Sequence, residues 1–275
     1  MTKPIALAID FKKYTPQVVK TGLFLAQRVY SESPLVFFHV IEQFFTPPAY
    51  LLPYLNIEKE RLEKALNELV DPMCPSNIAV EKKILLGEFW LALKNFLEEI
   101  DPEVVVLGYE PHVFKIPTAE KILERLEINF LVVKERALEK IEKILCPIDF
   151  SEKSLSALKK AFFIAKKTEA EIKAFYVITP LELGDKSCDS FYFLEKEKEI
   201  KEKWERLIEE LKPSGINFSF ETLCGNRLDE IVRKMEEEKP DLLILGRRGK
   251  VLKIGIGSVS KALLKISKIP VYLVN

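Results

Sequence analysis

Apolar residues in this chain fall into short runs separated by segments with helical spacing. Runs near 4–10, 34–41, 77–86, 103–108 and 129–134 have the length of buried strands, and a second set lies near 143–149, 171–178, 216–223, 241–246 and 270–274. Within the second set, amphipathic stretches near 151–168, 189–212, 226–238 and 257–267 predict helices. Ser151 stands where an N-cap belongs, ahead of a stripe of Leu155, Leu158, Ala161, Phe162 and Ala165. Trp204, Leu207, Ile208 and Leu211 form a second stripe, backed by Glu and Lys runs that read as a solvated helix face. Strand alternating with helix at these lengths predicts an α/β fold, a mainly parallel sheet with helices on both faces. Such sheets bind ligands at the carboxyl ends of strands, where the strand order reverses.

The two sets of strands are also similar in sequence, at an offset of about 138 residues. KPIALAIDF answers EKILCPIDF, aligning Asp10 with Asp149, and LVFFHVIE answers IKAFYVIT. LLGEFWLALKNFLEEIDPEVVVLG answers TLCGNRLDEIVRKMEEEKPDLLILG, and INFLVVK answers IPVYLVN. The period is far too long for a solenoid, so the pattern predicts a duplicated domain, 1–136 followed by 141–275. The hinge KERALEK (134–140) has neither Gly nor Pro and predicts close packing of the halves. One stretch breaks the alternation: FFTPPAYLLPYLN (44–56) is aromatic and carries three prolines, and reads as neither helix nor strand. A loop folded over its own domain is the plain expectation for it; a lid or a contact surface is the sharper one.

Composition narrows the classes. At 275 residues the chain has room for two cores. Its 42 Lys and Arg balance 42 Asp and Glu, which gives no support to a nucleic-acid binder. No apolar run approaches the roughly 20 residues of a spanning helix, and MTKPIALAIDF leads straight into a strand rather than a signal peptide. Cys74, Cys146, Cys188 and Cys224 are scattered and read as reduced packing residues of a cytoplasmic protein. With only His39 and His112 besides, no metal site is expected.

The stretch with chemistry in it is DLLILGRRGKVLKIGIGSVS (241–260). A buried strand ends at Gly246, and a loop with Gly249, Gly255 and Gly257 carries Arg247, Arg248, Lys250 and Lys253. A helix then opens at Ser258. Glycines let backbone N–H groups approach an oxyanion, and a helix N-terminus adds unpaired donors and a positive dipole end, so the pattern predicts a phosphate site. Gly249-Lys250-Val251 lacks the hydroxyl of a P-loop, and Gly255-Ile256-Gly257 lacks the third glycine of a dinucleotide fingerprint. No Ser-His-Asp set is visible. His39 lies in an apolar strand and is expected to be hydrogen-bonded there rather than catalytic.

These residues resemble the universal stress protein family, clearly over 141–275 and more loosely over 1–136. PIDFSEKSLSALKKAFFIAKK, the Gly225 turn and LILGRRG…GSVSKALLKISKIPVYLV carry the likeness. The resemblance implies two tandem Rossmann-like (adenine nucleotide alpha hydrolase-like) domains, each with a five-stranded sheet, paired through their last strands as an intramolecular pseudo-dimer. A homodimer of such chains is compatible with it. In ATP-binding members the loop runs Gly-x-x-Gly, nine residues, then Gly-Ser or Gly-Thr. Gly246-Arg247-Arg248-Gly249 and Gly257-Ser258 fit, with seven residues between. By carry-over, Gly246, Gly249, Gly257, Ser258, Val259 and Ser260 surround phosphates and ribose, Pro147, Ile148 and Asp149 border the nucleoside, and Val177 flanks the base. Arg247 and Arg248 are not required by the pattern; either their charge offsets that of the phosphates or they are simply solvated. The implied ligand is ATP or another adenine nucleotide; magnesium is not specified by the pattern.

The first half departs from that pattern. Tyr109-Glu110-Pro111-His112 follows Gly108, and Pro117-Thr118 stands where Gly-Ser belongs, so its site is expected to be degenerate. The function expected is a stress-response or regulatory nucleotide binder acting by occupancy on an unidentified protein partner, rather than by turnover. The alternatives are a nucleotide-independent interaction protein and, more weakly, a slow ATPase using Asp149 and Ser258.

Overall fold

The computed structural model describes residues 2–43, 52–110, 118–184, 188, 190–249 and 255–275. By internal contacts these form two compact units: Met1–Ile122 with Ile128–Glu139, and Leu123–Glu127 with Lys140–Asn275.

In the first unit the chain order is β1 (Ile5–Ala8), α1 (Thr15–Phe24), β2 (Leu35–Glu42), α2 (Leu52–Val70), β3 (Val80–Gly87), α3 (Phe89–Ile100), β4 (Val104–Gly108), α4 (Thr118–Arg125, whose residues from Leu123 on count with the second unit) and β5 (Phe130–Val133). A π-helical turn, Leu25–Val29, extends α1. The strands are parallel in the order β3-β2-β1-β4-β5. Central strands are apolar throughout because helices cover both faces, whereas edge strand β3 alternates exposed and half-buried positions.

The second unit continues with β6 (Lys143–Pro147), α5 (Glu152–Thr168), β7 (Glu171–Ile178), α6 (Phe191–Leu211), β8 (Phe218–Cys224), α7 (Arg227–Glu238), β9 (Leu242–Gly246), α8 (Ser258–Ile266) and β10 (Val271–Val274). Its parallel order is β8-β7-β6-β9-β10. The order reverses between β6 and β9, so Pro147 and Gly246 end side by side at the carboxyl edge. Such a reversal opens a crevice for a ligand. Ser151 caps α5 by accepting the Ser154 N–H, and Leu158, Ala161, Phe162 and Ala165 are buried behind it, with Leu155 only half-buried. On α6, Ile200 and Trp204 are the buried residues, and Trp204 stacks on Phe220 at 4.3 Å.

Two expectations are corrected. Cys188 and Cys224 do not read as separate reduced residues: they are joined in a disulfide, their Cα atoms 5.8 Å apart. A spacing of 36 residues hides such a pair in the sequence, since only the fold brings the end of β8 beside the segment leading into α6. Cys74 and Cys146 are free thiols, and burial pushes the Cys146 thiol up to about 12. An argument for the cytoplasm from reduced cysteines therefore fails for this pair. The second correction concerns 44–56. Residues 44–51 lie outside the described residues, but Leu52 to Asn56 begin α2. Pro53 sits in the first turn, where the missing N–H has no intrahelical acceptor to lose. Among the described residues no helix is long and apolar enough to cross a membrane.

Candidate functional site

The crevice at the ends of β6 and β9 is a cavity of about 310 Å³, at the lower end of the range for small-molecule sites. Three local features shape it. At Gly246 an added Cβ would stand 2.7 Å from the Lys153 carbonyl carbon and 2.8 Å from the Ser154 nitrogen. Glycine there lets β9 run against the first turn of α5. Beyond β6, Phe150 adopts a left-handed φ of 56° and Asp149 Oδ1 accepts the Ser151 N–H at 2.9 Å. Asp149 in turn donates its backbone N–H to Ser154 Oγ at 3.3 Å. One carboxylate oxygen thus holds the turn, and Oδ2 lies on the side of Gly249, 2.9 Å from where a Cβ on that glycine would stand. Finally, the Gly257 N–H donates to the Arg247 carbonyl at 2.9 Å, closing the glycine loop and delivering the start of α8 to the cavity.

Helix α8 has Gly257 as its N-cap and no side-chain cap, unlike α5 and α7, which Ser151 and Asn226 close. The first-turn N–H groups of a helix have no intrahelical acceptors. Ser258, Val259 and Ser260 carry these groups and line the cavity. The apolar part of the lining is Pro147, Ile148, Phe175 and Val177 from β6, its following turn and β7, with Ile231 of α7 and Leu263 of α8.

Of the residues predicted from sequence, Pro147, Ile148, Asp149, Val177, Gly246, Arg248, Gly249, Gly257, Ser258, Val259 and Ser260 line this one cavity, and Arg247 does not. Arg247 is 1% exposed. Its guanidinium donates to the carbonyls of Leu123 and Leu126, and its Nε to the Gly255 carbonyl at 3.2 Å. Burial lowers its pKa to about 10. The expectation that Arg247 offsets phosphate charge is therefore corrected: it holds peptide oxygens of 123–127, which belong to this unit. Arg248 lines the cavity, but it also donates to Glu127 Oε1 at 2.7 Å, and this bond holds the Glu127 carboxyl below its ordinary range.

Sequence reasoning missed Ser154, Phe175, Arg227, Ile231, Leu245 and Leu263. Phe175 was within reach, since it is two residues before Val177 on one strand and shares its face. Arg227 follows the Gly225-Asn226 cap and lines both this cavity and an adjoining one of about 570 Å³. That neighbour is walled by Thr179, Pro180, Leu181, Asn226 and Leu228, and shares Ser258 and Val259. Arg227 also reaches Glu182 Oε2 at 3.4 Å. His39 bonds the Ile9 carbonyl through Nδ1 at 2.6 Å and packs edge-on to Phe11, as expected of a structural histidine.

The fold and the crevice define a Rossmann-like α/β protein with a site at its topological switch point. Comparison with known proteins agrees on the lineage. The model of the universal stress protein family matches residues 140–275. Two universal stress proteins of Methanocaldococcus jannaschii are similar to this chain. One is 34% identical over 143 residues, spanning 49% of this chain and 82% of the relative; the other is 35% identical over 154 residues, spanning 49% and 94%. The crystal structure of a universal stress protein from Archaeoglobus fulgidus shares the fold along 100% of this chain and 99% of its own, with a TM-score of 0.76 at 17% identity. The chain belongs to the universal stress protein family.

Proposed function

We propose that this protein is a regulatory adenine-nucleotide binder, with its site in the second unit, that acts by occupancy rather than turnover. The observation that carries this reading is the convergence in one cavity of a helix start without a side-chain cap, three glycines and a set of apolar side chains. Phosphate oxygens fit the first, where backbone N–H groups and the helix dipole are presented. A nucleobase fits the wall of Ile148, Phe175 and Val177. Asp149 Oδ2 faces the cavity as an acceptor for a ribose hydroxyl or the exocyclic amine of adenine. No activated nucleophile stands beside these groups among the described residues, which supports binding over hydrolysis.

Among the described residues, the arginines temper the phosphate end; Lys250 and Lys253 lie outside them. Arg247 is spent on peptide carbonyls, Arg248 on Glu127 and Arg227 on Glu182. Phosphates would then be read mainly by backbone N–H groups, and AMP would lose less against ATP than the basic loop sequence suggests. Those same engagements favour the second reading, a nucleotide-independent interaction protein. Calorimetric titration with AMP and ATP decides between them. Asp149→Asn keeps an acceptor for the Ser151 N–H while removing the charge, and is expected to weaken binding about tenfold with the fold unchanged. No heat with either nucleotide at millimolar concentration would remove this reading in favour of the second.

A further inference from the structure

The Cys188–Cys224 disulfide is bonded into the wall of the site. Cys224 is the last residue of β8; the next residue, Gly225, donates its N–H to the Ile178 carbonyl at the end of β7 (3.1 Å). Asn226 then caps α7, and Arg227 lines both cavities. From the other side, β7 leads into a 3-10 turn, Pro180–Leu183, closed by a capping box between Thr179 and Glu182. The Tyr176 hydroxyl bonds Glu182 as well. Burial raises the Glu182 pKa, but the bonds from Tyr176 and Thr179 and the charge of Arg227 outweigh it and hold the carboxyl below its ordinary range. Ile178 and Cys188 are therefore each fastened to the 224–225 corner, one through its carbonyl and the other through its sulfur. Between these anchors lie Leu181 and Glu182, one a wall of the second cavity and the other the partner of Arg227.

We infer that the Cys188–Cys224 pair is a thiol–disulfide control on this site: the oxidised form holds the wall and favours ligand, and the reduced form releases it. This rests on the nucleotide reading above for its ligand, not for its structural half. Accessibility suits it, since Cys188 is exposed while Cys224 is half-buried and packs on the cluster of Tyr176, Ile178, Leu183 and Ile200. The reductant is a dithiol. Its thiolate attacks the Cys188 sulfur, forming a mixed disulfide and expelling Cys224 as a thiolate that takes up a proton. Its second thiol then displaces Cys188 as a thiol and leaves as the cyclic disulfide. Two electrons and two protons pass from the dithiol to the protein.

Coupling of two equilibria is reciprocal, so a ligand that prefers the oxidised form must protect the disulfide by the same factor. The full chain is purified without reductant, and its thiols are counted by alkylation in denaturant, which exposes the buried Cys146, and by mass spectrometry before and after treatment with dithiothreitol. Hydrogen exchange of 179–184 and of 226–228 is measured in both forms, and ATP and AMP are titrated into each. Cys188→Ser, which leaves the packed Cys224 in place, serves as a permanently reduced form. Two alkylatable thiols before reduction and four after are expected, with faster exchange in both segments. Nucleotide Kd should rise at least about fivefold in the reduced protein and in C188S, the lower end of ordinary allosteric coupling. Saturating nucleotide should shift the protein's balance with a dithiothreitol redox buffer by the same factor, about 20 mV. Four thiols before reduction, or exchange indifferent to reduction, would overturn the inference whatever binds. Equal Kd in both forms would overturn it while leaving the nucleotide reading intact; no binding in either form would end both.

Discussion

Arg247 shows how far a residue's type can mislead about its work. In the sequence it is one of two arginines beside a glycine loop; in the fold its guanidinium is buried against the carbonyls of Leu123, Leu126 and Gly255. Replacing it with Met keeps the stem but leaves three peptide oxygens without their donor. A cost of about 3 kcal/mol in urea unfolding is expected, since each stranded buried acceptor costs on the order of 1–3 kcal/mol with partial recovery by water. AMP affinity should be unchanged in the fraction that remains folded. Glu182 makes a pH prediction at the same scale. Its folded pKa lies below the ordinary value, so its contribution is full above that value and is lost as pH falls through the folded one. Glu182→Gln should flatten the acid limb of the stability–pH curve and leave its neutral and alkaline part parallel to wild type. Sequence could not have assigned the Arg247 role, because its guanidinium partners are set by the fold, 121 residues away at the nearest apart from Gly255; those of Glu182 are mainly local, Tyr176 and Thr179, with Arg227 45 residues away.

Elements were far more legible than partners. Every strand and helix expected in the second half is present, with no end displaced by more than two residues, because apolar runs and 3.6-residue stripes are local signals. The start of α2 was missed for a reason equally local: Pro53 breaks a helix interior but not a first turn. The short 3-10 turn after β7 has no periodicity to reveal it and is held by Thr179, Glu182 and the nearby disulfide. Most of the crevice was legible too, since the ends of β6 and β9 meet wherever this strand order forms. Two outcomes belong at this scale. Gly246→Ala should cost about 2–3 kcal/mol, because its Cβ would meet backbone atoms of Lys153 and Ser154 that no rotamer change can clear. Reduction of the disulfide should lower stability by about 3–4 kcal/mol, the chain-entropy value for a loop of this length, read as a drop in urea midpoint with a steeper slope, since the unfolded chain without its crosslink exposes more surface.

At the scale of the molecule, the two units have the same parallel strand order, each described within itself. Both begin alike, with an aspartate accepting N–H bonds just beyond the first strand and a phenylalanine at positive φ after it, Asp10-Phe11 and Asp149-Phe150. They part at the fourth strand. After Gly246 come Arg247, Arg248 and Gly249; after Gly108 comes Tyr109, 1% exposed, its hydroxyl 3.4 Å from the buried Glu120. Tyr109 takes the place after β4 that Arg247 has after β9, and its partner Glu120 lies in α4; with Pro117-Thr118 standing in the sequence where Gly-Ser belongs, we propose that the first unit is silent toward nucleotide. The count of ligands per chain is therefore the sharpest test of the account. Denatured, freshly purified protein should release adenine nucleotide at no more than one per chain, and calorimetry on the stripped protein should give a stoichiometry of one for AMP and ATP. A stoichiometry of two would contradict the reading of the first unit, and a stoichiometry of zero would contradict the site itself.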